Sequence, residues 1–160
     1  MHGRGQYRYA EGDVYSGEWR EDKRHGKGNY VSADGDQYSG EWCDNMRHGQ
    51  GEFSSSNGSQ YVGGFNRDSR QGRGSWKSMN GDSYEGEWVA NQRHGHGRFV
   101  SRNGDVYDGG WAHGQRSGQG VSTVMPPDEV ESARLSVSAQ LLAHRRKHFL
   151  RLPGGNAGAV

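Results

Sequence analysis

Tyr15-Ser16-Gly17-Glu18-Trp19 and, after a polar connection, Gly26-Lys27-Gly28-Asn29-Tyr30 are two strands spelled out in alternation. In the first, Tyr15, Gly17 and Trp19 share one face while Ser16 and Glu18 share the other, and the second alternates in the same way. A period of two residues is the strand period. The pair recurs. Tyr15, Tyr38, Tyr61, Tyr84 and Tyr107 follow one another at intervals of 23 residues without drift. Two residues after each lies Gly17, Gly40, Gly63, Gly86 or Gly109, and four after each lies Trp19, Trp42, Phe65, Trp88 or Trp111. An arginine column (Arg24, Arg47, Arg70, Arg93, Arg116), a pair of glycine columns from Gly26/Gly28 to Gly118/Gly120, and a second aromatic column (Tyr30, Phe53, Trp76, Phe99) keep the same step. Gly3, Gly5, Tyr7 and Gly12 continue it backwards. Residues 1–124 are thus a repeat array, with an N-terminal half unit over 1–14 and units starting at 15, 38, 61, 84 and 107. Self-similarity at a fixed period is the signature of a solenoid.

Composition explains what such an array can use as a core. The chain has 160 residues, of which 29% are hydrophobic and 11% aromatic, with 28 Gly. It has no Ile, and its five Leu all lie at or beyond Leu135. Residues 1–120 hold sixteen of the seventeen aromatics and 25 of the glycines. An aliphatic core is therefore excluded for three quarters of the chain, and so is disorder, which goes with few aromatics and high net charge. A glycine on the same face as Tyr and Trp leaves a flat spot on which a neighbouring ring can lie. Each ring buries on the order of 150–250 Å², enough for a row of them to hold a single sheet. Asp34-Gly35, Asn57-Gly58, Asn80-Gly81 and Asn103-Gly104 end the units. They predict tight type I′ hairpin turns, which need positive φ at both central residues. The other connection, such as Arg20–His25, reads as longer and polar. At about 4.8 Å per strand, the five units predict a rod-like sheet roughly 50 Å long.

The units Tyr38-Ser39-Gly40-Glu41-Trp42…Arg47-His48-Gly49-Gln50-Gly51-Glu52-Phe53…Asn57-Gly58 and Tyr84-Glu85-Gly86-Glu87-Trp88…Arg93-His94-Gly95-His96-Gly97-Arg98-Phe99 resemble the MORN repeat (membrane occupation and recognition nexus). The resemblance covers about residues 2–122. The third unit departs from it with Gly64-Phe65 for Glu-Trp and Gln71 for His; the fifth has Gly110 for Glu and Ser117 for His. What the resemblance implies is scaffolding. Such arrays occur in ciliary radial-spoke heads, in parasite and sperm cytoskeletal structures and in junction proteins. They also lie beside separate catalytic domains in lipid kinases and methyltransferases. The family implies a twisted antiparallel hairpin sheet with an aromatic-lined groove that takes a partner's peptide or helix, and phospholipid binding has been proposed for it.

After Met125-Pro126-Pro127 the composition changes. Asp128, Glu129 and Glu131 open a segment that ends in Arg145-Arg146-Lys147-His148, a charge order that complements a helix dipole. Leu135, Ala139, Leu142, Ala143, Phe149 and Leu150 form a stripe at helical spacing. The reading is an amphipathic helix within 125–152, closed by Pro153-Gly154-Gly155, with a tail over 153–160. It either caps the last hairpin, folds back into the groove, or docks on another protein.

Most chemistry is unsupported. Cys43 is the single cysteine, and no Walker or Ser-His-Asp pattern occurs. Gly26-Lys27-Gly28 and its copies precede strands rather than helices, so they are not phosphate loops. His25, His48 and His94 share one phase, with His2 one unit earlier, as would suit either a metal or hydrogen bonds within the turn. No metal or cofactor is expected. The balance of 20 basic against 19 acidic residues argues against nucleic acid. No apolar run is long enough to span a bilayer or to serve as a signal sequence. The expectation is an all-β, single-sheet solenoid with a C-terminal helix, acting as a non-enzymatic scaffold in the cytoplasm. Its setting is the cytoskeleton, such as a ciliary or flagellar axoneme. The expected partner groove comprises Tyr15, Trp19, Tyr38, Trp42, Tyr61, Phe65, Tyr84, Trp88, Tyr107 and Trp111. The alternative is a peripheral tether that meets anionic phospholipid through the arginine column and the basic helix end.

Overall fold

A computed structural model describes residues 1–124 together with Pro126 and Glu129. The strands are β1 (Gly3–Arg8), β2 (Val14–Arg20), β3 (Lys23–Val31), β4 (Gln37–Cys43), β5 (Met46–Ser54), β6 (Gln60–Asn66), β7 (Ser69–Lys77), β8 (Ser83–Val89), β9 (Gln92–Val100), β10 (Asp105–Ala112) and β11 (Gln115–Val124). They form one open antiparallel sheet of 11 strands in chain order. The helix read over 125–152 and the tail over 153–160 lie outside the described residues.

The two connections are the reverse of the sequence expectation. Arg20 pairs with Lys23, Cys43 with Met46, Asn66 with Ser69, Val89 with Gln92 and Ala112 with Gln115. Each of those links is therefore a two-residue turn. Both residues of each turn have positive φ, as in Asp44 (47°) and Asn45 (70°) or His113 (51°) and Gly114 (78°). These are the type I′ hairpins. The Asn-Gly links are instead the long ones. Ser54 pairs with Gln60, and the segment between them is closed by hydrogen bonds from the Ser55 N–H to the Ser59 carbonyl (2.8 Å) and from the Gly58 N–H to the Ser55 carbonyl (2.9 Å). Only Gly58 in that loop has positive φ (95°).

Within each hairpin the ladder shifts once. From Gly40 to Glu41 the first strand takes one step while its partner runs from Gly51 back to His48. Gly49, at φ 63°, sits in that bulge, where a left-handed residue is required. The Glu41 carboxylate folds over it and accepts the Gln50 N–H at 2.7 Å. The third and fifth units have Gly64 and Gly110 in place of this glutamate, and none of the described residues lies over Gly72 or Gly118.

The core lies on one face. Tyr15, Tyr38, Tyr61, Tyr84 and Tyr107, with Trp19, Trp42, Phe65, Trp88 and Trp111, are all 7% exposed or less. A Cβ placed on Gly51 would stand 2.4 Å from the Tyr38 Oη and 2.5 Å from its Cε2, so the ring occupies the space that a side chain would take. The opposite face buries less, but Ser83, Val100 and Val106, neighbours across β8, β9 and β10, are buried there, as is Val62.

Candidate functional site: the aromatic face

The ten rings named from the sequence make one continuous ladder. Tyr15 contacts Trp19 of its own hairpin (5.0 Å between centroids) and Trp42 of the next (5.5 Å), both edge-on. Tyr38 does the same with Trp42 (5.1 Å) and Phe65 (5.2 Å), and Tyr84 with Trp88 (5.1 Å) and Trp111 (5.4 Å). Edge-to-face contact at this distance contributes about 0.5–1.5 kcal/mol beyond area burial. Each ladder tyrosine bridges two hairpins in this way, until Tyr107, whose one ring partner among the described residues is Trp111 of its own unit.

The polar tips of these rings are satisfied by main chain. Tyr38 donates its hydroxyl hydrogen to the Glu41 carbonyl (2.9 Å) and Tyr84 to that of Glu87 (2.9 Å). Trp42 donates its indole N–H to the Gly28 carbonyl (3.2 Å), Trp88 to Gly74 (3.2 Å) and Trp111 to Gly97 (3.0 Å). Phe65 has no such hydrogen to give. Burial pushes the Tyr15 and Tyr84 hydroxyls up to about 12 and raises those of Tyr38 and Tyr61, because the phenolate would lose its solvation.

The arginine column is part of the same construction. Arg70 stacks over the Trp88 ring at 4.3 Å and donates through Nη2 to the Asn91 carbonyl at 2.9 Å. The Asn91 Oδ1 in turn accepts the Arg70 backbone N–H at 2.8 Å. Arg24 repeats this with Trp42 and Asn45, and Arg47 with Phe65 and Asp68. Arg24, Arg47, Arg70 and Arg93 thus each tie their hairpin to the turn of the following one. Desolvation lowers the Arg70 and Arg93 pKa values, so these cations are enclosed rather than displayed.

Above the buried ladder lie the second-strand rings. Tyr30, Phe53, Trp76 and Phe99 are only partly buried and pack on the core from its margin, as does Tyr9 just beyond the end of β1. The 23-residue period marks Tyr30, Phe53, Trp76 and Phe99 as a column but does not assign them to the groove. Periodicity puts both aromatic columns on one face, and only the packing distinguishes floor from rim. At the middle of the array, Arg47, Phe53, Arg70 and Trp76 border a concavity of about 400 Å³ floored by Tyr61 and Phe65. A ligand reaching this face meets half-exposed rings and guanidinium edges, with the ladder beneath. The histidine column does not converge on the aromatic face: His48 and His94 are exposed and His25 is half-buried, and His25 and His48 line a shallow concavity elsewhere on the sheet.

A family model described as MORN repeat matches the chain in tandem at residues 1–14, 15–37, 38–60, 61–83, 84–106 and 107–123. No curated protein matches the chain.

Proposed function

The chain belongs to the MORN-repeat family, and from that premise we propose that it is a non-enzymatic scaffold that binds a partner protein along its aromatic face. Six tandem repeats of this family make a protein-interaction or membrane-binding module. The observation that carries the choice between the two is the margin of the ladder. Phe53 and Trp76 leave apolar ring surface half-exposed beside a concavity of about 400 Å³. Amphipathic helices and extended peptides anchor large apolar side chains in such grooves. In the arginine column, Arg24, Arg47, Arg70 and Arg93 are turned onto rings and turn carbonyls, which leaves Arg116 as its exposed member. The setting that fits a chain of hairpins with this surface is a cytoskeletal assembly, with the ciliary or flagellar axoneme as the first place to look.

The test pairs two assays. Purified chain and a Phe53→Ser/Trp76→Ser variant are used to recover partners from a ciliated-cell extract, and the same proteins are sedimented with anionic liposomes. The reading predicts an axonemal or cytoskeletal protein retained by the native chain and lost by the variant, with no liposome binding. Strong, salt-sensitive sedimentation with liposomes and no rim-dependent protein partner would replace it with the membrane tether.

A further inference from the structure

On the face opposite the ladder, one unit differs from all the others. Gly26 of β3 lies opposite Trp42 of β4, so the adjoining positions, His25 and Cys43, are cross-strand neighbours on the outer face. Asp44 follows as the first residue of the tight turn. A ring nitrogen of His25, the Cys43 thiol and the Asp44 carboxylate lie within 4.8 Å of one another. The position that follows each core ring is Arg20, Cys43, Asn66, Val89 or Ala112, so a single unit sets a thiol against an imidazole.

Two further observations point to a ligand. The Nδ1 of His25 is shielded from solvent and has no hydrogen-bond partner among the described residues, a cost of about 1–3 kcal/mol for a buried polar atom. His25 and Cys43 also line a concavity of about 450 Å³, together with Glu41 and His48. Asp44 meets Arg20 at 3.8 Å, a solvent-screened pair that releases the carboxylate at little cost.

We propose that His25, Cys43 and Asp44 bind one divalent cation of the zinc class, with the fourth position left to water. Mixed sulfur, nitrogen and oxygen ligation suits a borderline-soft ion. Bonds of about 2.3 Å to sulfur and 2.0–2.2 Å to nitrogen and oxygen put ligand atoms roughly 3–4 Å apart, so the cluster contracts by about 1 Å on binding. The Cys43 S–H bond breaks, its sulfur forms the metal bond, and the proton leaves to solvent. No electron is transferred. The ion ties β3 to β4 and fixes the first turn of the second unit. A lone cysteine reads as no zinc site in a sequence; the sheet register supplies its companions.

The reduced, untagged full chain is titrated with cobalt(II), and the thiolate-to-cobalt charge-transfer band is followed. The expected result is one cobalt per chain, displaced by zinc. The band is lost in Cys43→Ser, and affinity falls roughly tenfold or more in His25→Ala, at least as much as removal of an outer-shell partner costs. His94→Ala, in the same column but without a thiol opposite, binds as the native chain does. Circular dichroism establishes that each variant is folded. Alkylation of the native chain gives a second reading that needs no variant: zinc protects Cys43. No thiolate band at micromolar cobalt, a band indifferent to His25→Ala, one cobalt per two chains, or a thiol alkylated equally fast in saturating zinc would each overturn the proposal.

Discussion

At the residue scale, every hydrogen-bonding atom of a ladder ring is matched to main chain, and Phe65 is the ladder ring that carries none. Its neighbours in the column, Trp42, Trp88 and Trp111, each reach a glycine carbonyl fourteen residues earlier. They also carry an arginine at 4.3–4.5 Å, whereas Arg47 stands 5.2 Å from the Phe65 ring. Phe65→Trp is therefore expected to stabilise the protein by about 0.5–1.5 kcal/mol, the net yield of one hydrogen bond, with a gain in cation–π contact besides. Urea denaturation of the two proteins checks this, and a loss of stability would mean that the third unit is not packed like the others. The contact of rings with glycine was legible in the sequence, because Tyr38 and Gly51 belong to columns of one phase on one face. The arginine contacts were not. Arg70 sits in a connecting segment by its spacing, and nothing local shows that it reaches forward over the next unit's Trp88.

Elements show where reading a sequence by dipeptide goes astray. Asn57-Gly58 looks like a two-residue turn, yet only Gly58 adopts positive φ and the link closes a longer loop. The true type I′ turns are Glu21-Asp22, Asp44-Asn45, Arg67-Asp68, Ala90-Asn91 and His113-Gly114. Their second residue is Asp, Asn or Gly, which tolerate the left-handed region, but the first varies freely because the flanking strands impose the turn. Ala90 is the extreme case, held at φ 47° with no polar side chain to compensate. A left-handed L-residue costs roughly 1–2 kcal/mol, and glycine gives back about 0.5–1 in unfolded-chain entropy. Ala90→Gly should thus raise stability by up to about 1 kcal/mol in thermal or urea melts. A clear destabilisation would remove the tight turn from β8–β9.

At the scale of the whole molecule, the sheet is a one-dimensional chain of like neighbours, each hairpin covering the ring that the previous one leaves open. Stability in such an array is carried by the interfaces between units, so its integrity rests on the ring-to-backbone contact more than on any local propensity. The period of 23 residues made this architecture legible from one sequence. The outer face was not legible, since His25 and Cys43 meet only through the register of β3 against β4. The central claim is that tyrosine rings seated on bare glycine are the core, and Gly51→Ala tests it by sign. In an ordinary strand this change is favourable by roughly 0.5–1 kcal/mol. Here the new methyl meets the ring of Tyr38, which is 2% exposed and has no room to withdraw. Urea unfolding of Gly51→Ala should show a loss of about 1–3 kcal/mol, the range for overpacking, whereas unchanged or increased stability would contradict the account.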